Sequence, residues 1–303
     1  MVMVRVIVLC MSLALAAAGV RVLDASEKES FRKEGYILVR GMLEGEDLES
    51  AIAAAEEVSD TSSDMPAYRN IGFNSLRGNP ALRRVALQSN AAAVAQQLMM
   101  ETENTDGDIH VLKDAILVFE PKKEGCGWHV DDPFFWPSPV ETKGSVGLNV
   151  WIALSPMSKA FGGGLAIAPT SHSADWMTKA RDAIFISQKT CNMVEVSPQH
   201  HDACEKLRRT FDMQPGDAIV HSRWLFHRSD DFTPEGVRDY EASGSKPLMR
   251  YSIRYMPGDT PIPNFPWETS VKEVPAVVGQ PLKAAAQYYP RILTQLGPKV
   301  SRA

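Results

Sequence analysis

The chain has 303 residues, of which 44% are hydrophobic and 23% charged, with a formal net charge of −5. A chain of this length and composition buries a sizeable core without disulfide or metal staples, as one large domain or two average ones. Its 37 acidic and 32 basic side chains argue against a general nucleic-acid binder, which normally carries a basic stripe.

The first 20 residues differ in character from the rest. Arg5 precedes an apolar run from Val6 to Ala18 that ends in three alanines. The order of a basic, an apolar and a small-residue region is typical of a secretory signal, and the run is short for a membrane span. The alternatives are a buried N-terminal element and an uncleaved anchor. We predict a signal peptide at 1–20, one domain over 21–303, and a location in the secretory pathway, or in an organelle or the cytoplasm if residues 1–20 are no such signal.

Cysteine usage gives little information. Cys10 would leave with the signal, so that Cys126, Cys191 and Cys204 remain. Three cysteines are not a disulfide framework. Cys191 and Cys204 would be able to pair in an oxidising lumen, but we expect all three to be plain buried or half-buried thiols.

The N-terminal third is predicted to be helical. In SEKESFRKEGYILVR, Ser26 is the expected N-cap of a short helix with Glu29 three residues later, and Gly35 ends the helix before a strand. Apolar residues at helical spacing predict further helices in EDLESAIAAAEEV, PALRRVALQS and NAAAVAQQLMM.

The chain becomes β-rich from His110 onward. Short β-type runs separated by Gly, Pro, Asp and Ser follow one another: HVLKDAILVF, VGLNVWIALS, GLAIAP, DAIVHS and MRYSIRYM. A closing helix is expected in PLKAAAQYYPRILTQL. This order predicts a mainly β fold with flanking helices, a double-stranded β-helix (jelly roll, cupin-like) whose core spans about 108–260.

The stretch GWHVDDPFFW contains a candidate metal site. His129 and Asp131 are two residues apart, so on a strand both side chains leave the same face. Asp132 would point to the opposite face. Joined by a distant histidine, the pair would form the two-histidine, one-carboxylate triad of non-haem Fe(II) oxygenases. An H-x-D pair alone is weak evidence, because a polar turn has the same residues.

Two histidines are candidates for the third ligand. His221 and His227 lie in PGDAIVHSRWLFHRSD, where a Pro-Gly-Asp turn launches a strand. One is expected to be a ligand and the other structural, and the local sequence leaves the choice open. His200 and His201 lie in a polar stretch that we expect to be an exposed loop.

Four segments in this order resemble the phytanoyl-CoA 2-hydroxylase (phytanoyl-CoA dioxygenase) family of Fe(II)/2-oxoglutarate-dependent oxygenases. They are GWHVDD, VGLNVWIALSPMSKAFGGGLAIAPTSH, MQPGDAIVHSRWLFHRS and RYSIRYMPGD, and the resemblance covers roughly residues 26–260. It implies His227 as the third ligand and Arg250 as the anchor of the cosubstrate's distal carboxylate. The interval between those two residues is longer than usual in the family, which makes Arg238 a rival anchor. Lys113 is a further candidate for binding the cosubstrate.

The resemblance also implies the activity. Iron at His129, Asp131 and His227, with 2-oxoglutarate and O2 as cosubstrates, would hydroxylate a small organic substrate and release succinate and CO2. Because Asp131 supplies a carboxylate ligand, the resemblance favours hydroxylation over halogenation. Trp128 and the aromatics at 134–136 are candidate pocket walls. Two alternatives remain open: a jelly-roll metal enzyme that does not use 2-oxoglutarate, and a non-catalytic protein that binds a ligand or partner.

Overall fold

The computed structural model describes residues 20–59, 67–102, 107–131, 147–187, 191–262 and 279–294. Most of the predicted signal peptide and the aromatic stretch at 134–136 lie outside these ranges. Within them, no helix combines the length and apolar character needed to cross a membrane.

Four helices form the N-terminal layer. They are α1 (Ala25–Glu34), α2 (Gly45–Ser59), α3 (Pro80–Gln88) and α4 (Asn90–Thr102). Helix α1 begins two residues earlier than predicted, because Asp24 and not Ser26 is its N-cap. Asp24 and Glu27 form a reciprocal capping box in which each side chain accepts a hydrogen bond from the other's backbone N–H. Gly35 ends the helix in the left-handed region at φ 82°, as predicted.

The strands form two antiparallel sheets, which confirms the predicted jelly-roll class. The strands are β1 (Tyr36–Val39), β2 (Asn70–Phe73), β3 (Ile109–Phe119), β4 (Leu148–Ala153), β5 (Leu165–Ile167), β6 (Ala218–Ser222), β7 (His227–Ser229) and β8 (Leu248–Pro257). The major sheet has the order β1-β6-β4-β8-β3-β2, and the minor sheet pairs β5 with β7.

Four further helices lie between strands in the chain order. They are α5 (Met177–Ser187), α6 (Met193–Val196), α7 (Pro198–Leu207) and α8 (Pro234–Ala242). His200 and His201 lie on α7 and not in the loop that their polar surroundings predicted. The expected closing helix is also wrong, since the described part of that region, 281–294, contains a 3-10 turn at Leu282–Ala285 and no α-helix.

The two faces of the major sheet have different roles. On β8, Tyr251, Ile253 and Tyr255 belong to the large core that the sheet forms with α2, α3 and α4. The alternate residues Arg250 and Ser252 therefore face the other way, as side chains on a strand must. That opposite side, called the inner face below, packs against the minor sheet through a second core whose members include Trp151, Ile219, Leu165 and Ile167.

A disulfide joins Cys126 to Cys191, which corrects the expectation that all three cysteines are thiols and the Cys191–Cys204 pairing considered above. Cys204 is a buried free thiol whose pKa is raised by burial. The disulfide links the segment that leads into His129 with the segment that precedes α6.

Candidate metal and cosubstrate site

His129 and His227 are neighbours through their backbones. The His129 N–H donates to the His227 carbonyl oxygen at 3.0 Å, and the His227 N–H donates to the His129 carbonyl oxygen at 2.9 Å. His227 opens β7, whereas His129 lies outside a regular strand and forms only this isolated bridge. The two rings have centroids 4.3 Å apart. The minor sheet therefore fixes both histidines side by side.

Asp131 completes a buried cluster with the two histidines. One potential ligand atom from each of His129, Asp131 and His227 lies within 4.8 Å of the other two. The His227 Nε2 atom is 3.8 Å from Asp131 Oδ1. Asp131 is 0% exposed. The chain thus brings together the three residues that the sequence predicted as metal ligands.

The histidine tautomers suit metal binding. The Nδ1 atoms of His129 and His227 lie 2.7 Å and 2.9 Å from backbone carbonyl oxygens, of Gly127 and Leu225 respectively. Because a carbonyl only accepts, each Nδ1 carries the proton and each Nε2 keeps a lone pair. Burial lowers the pKa of His129 to about 3 and that of His227 to about 4. Both rings are therefore neutral at physiological pH and ready to bind a cation.

Asp131 is held in its charged form. Burial is the largest single influence and would raise the pKa of this carboxyl, but the surrounding groups, led by the Arg254 guanidinium, together hold the pKa well below its usual range. Arg254 Nη2 donates to Asp131 Oδ1 at 2.9 Å, and Asn149 Nδ2 donates to Oδ2 at 2.9 Å. The Ser252 hydroxyl donates to Asn149 Oδ1 at 2.8 Å and so fixes the amide. A charged carboxylate and two neutral imidazoles are a donor set that fits Fe(II).

His221 is a third buried histidine beside the cluster. It lies on β6 with its ring centroid 4.4 Å from that of His227. Its Nδ1 is 3.0 Å from the Ser222 carbonyl oxygen, and its Nε2 has no hydrogen-bond partner among the described residues. His221 stands outside the group of converging ligand atoms, so His227 is the one of the pair that joins His129 and Asp131.

Arg250 is a buried cation surrounded by aromatic rings. Its guanidinium carbon lies 4.8 Å from the ring centroid of Phe119, and 5.5 Å from those of Tyr68 and Trp151. The side chain is 1% exposed, and burial lowers its pKa to about 10, so it remains charged. Its Nε and Nη2 atoms have no hydrogen-bond partner among the described residues. Buried donors of this kind call for an acceptor, and a planar carboxylate fits the guanidinium fork.

The rival anchor Arg238 occupies a different environment. It lies on α8, the helix that fills the long interval between His227 and Arg250, and its Nη2 donates to Glu235 at 2.6 Å. Both side chains of this pair are more than 60% exposed. Arg238 therefore forms a surface ion pair, whereas Arg250 lies on the inner face of the major sheet.

Lys113 lies on the inner face but not beside Arg250. It pairs with Arg254 across β3 and β8, whereas Leu117 is the residue opposite Arg250. Four residues along a strand correspond to about 13 Å. The Lys113 ammonium lies 4.5 Å from the ring centroid of Phe73. Its role in cosubstrate binding stays a prediction, and its position is nearer the metal cluster's end of the sheet.

Sequence reasoning missed three contributors to this site. Arg254 follows Arg250 by four residues in RYSIRY, so strand alternation alone places both on one face. Asn149 interrupts the apolar strand LNVWIA, and a lone amide at a buried position indicates a polar partner. Trp151 lies in the same apolar strand, and its ring packs against the Arg250 guanidinium. Trp128, which the sequence suggested as a pocket wall, is 1% exposed, and its indole N–H donates to Glu205 at 2.7 Å.

A jelly roll with a buried His–Asp–His cluster and a buried arginine defines the class of non-haem iron oxygenases. The family model of phytanoyl-CoA dioxygenase (PhyH) matches residues 31–239. The chain therefore belongs to the phytanoyl-CoA dioxygenase family of Fe(II)/2-oxoglutarate-dependent oxygenases, as the sequence motifs indicated. The matched range contains the three clustered residues and ends before Arg250. No curated protein sequence is significantly similar to the chain.

Solved structures share the fold at low sequence identity. The non-haem α-ketoglutarate-dependent carbocyclase SnoK from nogalamycin biosynthesis has a TM-score of 0.66 at 18% identity, covering 89% of this chain and 97% of that one. The epimerase SnoN, in complex with Fe3+, α-ketoglutarate and nogalamycin RO, has a TM-score of 0.59 at 18% identity, with coverages of 85% and 94%. EctD from S. alaskensis, with 2-oxoglutarate and 5-hydroxyectoine, has a TM-score of 0.57 at 14% identity, with coverages of 79% and 78%.

Proposed function

We propose that this protein is an Fe(II)- and 2-oxoglutarate-dependent dioxygenase that hydroxylates a small organic substrate and releases succinate and CO2. His129, Asp131 and His227 would hold the iron, and Arg250 would hold the distal carboxylate of 2-oxoglutarate. One observation carries the proposal: a buried triad of metal-ligand atoms and a buried guanidinium with unsatisfied donors lie within the same jelly roll. Family membership and iron- and α-ketoglutarate-containing relatives of the same fold support it.

The donor set fits this cofactor. Two neutral imidazoles and one carboxylate would hold an Fe(II) ion and would leave it accessible to 2-oxoglutarate and O2. When bound, iron and 2-oxoglutarate supply the oxidising power that attacks the substrate. The chain's own residues orient these groups: backbone carbonyls fix the histidine tautomers, and Asn149 fixes the carboxylate.

Arg250 does two things for the cosubstrate. Its fork gives a planar carboxylate two parallel donors, and its charge survives burial. The rings of Phe119, Tyr68 and Trp151 cover it and keep water from competing for those donors. A charge-assisted hydrogen bond is stronger in such dry surroundings than in water.

The reaction outcome and the substrate class are part of the proposal. Relatives of this fold include a carbocyclase and an epimerase, so the fold permits several oxidative outcomes. A complete facial triad with Asp131 in place favours hydroxylation over halogenation, because no ligand position is left for halide. EctD in complex with 5-hydroxyectoine supports a small organic substrate.

The decisive experiment measures 2-oxoglutarate turnover. The purified chain is loaded with Fe(II) without oxygen and then exposed to O2, and succinate is quantified with and without candidate substrates. We expect succinate from the wild type and none from Asp131→Ala. A wild type that forms no succinate, or an Asp131→Ala variant that matches it, would show that the proposal is wrong.

We further propose that the protein works in an oxidising compartment of the secretory pathway. The Cys126–Cys191 disulfide supports this, because disulfides persist there and are rare in reducing cytosol. Mass spectrometry of the protein from its native host tests it. A mature chain with an intact disulfide is the expected result, and free thiols at both positions would contradict it.

A further inference from the structure

The two oxygens of Asp131 have unequal surroundings. Oδ2 accepts from Asn149, a neutral amide that is fixed in turn by Ser252. Oδ1 accepts from the Arg254 guanidinium at 2.9 Å and is also the oxygen that lies 3.8 Å from His227 Nε2. The oxygen directed at the histidine pair, where a metal would bind, is thus the one that a side-chain cation already contacts.

Arg254 reaches Asp131 from the rigid sheet and not from a loop. It sits in the middle of a cross-strand row on the inner face, between Lys113 on β3 and Asn149 on β4, and His221 on β6 follows Asn149 in the same row. Arg254 is 5% exposed. Because the strand register fixes its backbone on both sides, Arg254 stays near the site even when a metal takes the place of its guanidinium on Oδ1.

We propose that Arg254 is a positioning residue that competes with the metal ion for Asp131 Oδ1 and thereby sets the metal affinity of the site. The proposal rests on the function proposed above. In the metal-free protein Arg254 is the counter-ion of a fully buried carboxylate. In the loaded protein it is a cation held close to a divalent cation, where the two repel each other in surroundings of low polarity.

The metal-free and the metal-loaded states predict the same direction for the change in metal affinity when the charge of Arg254 is removed. Without Arg254, the metal-free protein keeps a buried carboxylate that lacks a counter-ion, which disfavours the empty state. The loaded protein loses a repulsive neighbour, which favours the full state. A neutral replacement therefore tightens metal binding. Partners of metal ligands typically change affinity by about 10- to 100-fold, and we expect a change of that size.

The opposite outcome has an equally definite physical meaning. If Arg254 acts mainly by holding the Asp131 carboxylate in the correct orientation, its loss weakens metal binding, as the loss of an orienting partner usually does. The direction of the change in affinity therefore decides between competition and simple orientation.

The test is a calorimetric titration of the full-length, metal-stripped protein with Co(II), which does not oxidise in air as Fe(II) does. The variants are Arg254→Met, which removes the charge at similar length, and Arg254→Lys, which keeps it. Arg238→Met is the matched control, because Arg238 makes an exposed ion pair with Glu235. We expect the dissociation constant to fall about tenfold or more in Arg254→Met, and to stay within a few-fold of the wild type in Arg254→Lys and Arg238→Met.

Binding that is unchanged or weaker in Arg254→Met overturns the inference. If that variant does not fold, a structure of the Co(II)-loaded wild type replaces it: Arg254 is then expected to have left the metal-bound oxygen, and a guanidinium still at 2.9 Å from that oxygen refutes the competition. Failure of the proposed function looks different, because the wild type then binds no Co(II), or Asp131→Ala binds it equally well.

Discussion

Asp114 should make a contribution to the free energy of unfolding that falls as pH rises. It lies on β3 on the helix-facing side and is 0% exposed. Its Oδ2 accepts from the Leu76 N–H at 3.0 Å and from the Tyr251 hydroxyl at 2.9 Å, and its Oδ1 has no hydrogen-bond partner among the described residues. Burial raises the pKa of this carboxyl from 3.8 to about 6, because these bonds and the nearby Arg77 offset only part of the desolvation.

The direction and the size of the pH effect on stability follow from that pKa shift. The folded protein prefers neutral Asp114, so its contribution to stability is fully present below pH 3.8 and is lost as pH rises through about 6. The whole shift corresponds to about 3 kcal/mol at 1.4 kcal/mol per pKa unit, of which about 2–3 kcal/mol falls between pH 4 and 7.5.

The assay compares urea unfolding of the wild type and Asp114→Asn at those two pH values, with a chelator present. The asparagine carbonyl keeps both hydrogen bonds but cannot ionise, and all other titrating groups are common to both proteins. We expect the wild type to lose about 2–3 kcal/mol more than the variant between pH 4 and 7.5. Parallel pH profiles for the two proteins would show that Asp114 does not titrate as the structure implies.

Three further predictions concern the cosubstrate, the disulfide and one turn. Arg250→Met should raise the KM for 2-oxoglutarate by about 100-fold or more in steady-state succinate assays, whereas Arg238→Met should leave this KM unchanged. Equal effects of the two substitutions would refute the role of Arg250 as the carboxylate anchor. Replacing Cys126 and Cys191 together by serine should lower the free energy of unfolding by about 4 kcal/mol in denaturant titrations, since the cysteines are 65 residues apart; no loss under oxidising conditions would contradict this. Gly216→Ala should lower the free energy of unfolding by about 3 kcal/mol or more in the same titrations, since the φ of Gly216 is +92° and a Cβ would lie 2.2 Å from a backbone carbonyl oxygen. A variant as stable as the wild type would refute this strain.

The sequence was informative where a strand pattern and a motif coincided. Alternation in RYSIRY places Arg250 on one face of a strand, and the structure shows that residue buried on the inner face. The same alternation places Arg254 on that face, but its role is not evident from the sequence, because sequence alone does not reveal that β8 lies beside β4 and Asn149. Cross-strand neighbours of this kind depend on register, which no single segment specifies.

Other expectations failed because tertiary contacts outweighed local pattern. The segment at 279–294 has helical spacing, yet its backbone bonds elsewhere: Val111 N–H donates to Pro290, and Ile292 N–H donates to Ile109. The disulfide partner of Cys191 was misjudged for the same reason, since Cys126 is distant in sequence and close only in the fold.

The reciprocal backbone bridge between His129 and His227 also shows how the ligand pair is built into the fold. Ordinary sheet hydrogen bonds, and not a metal ion, set the spacing of these two rings. Asn149 and Arg254 likewise hold Asp131 without help from an ion. Small zinc domains gain their fold from the metal, whereas here two of the ligand side chains are joined by backbone hydrogen bonds, so that removal of a metal is expected to leave the fold in place.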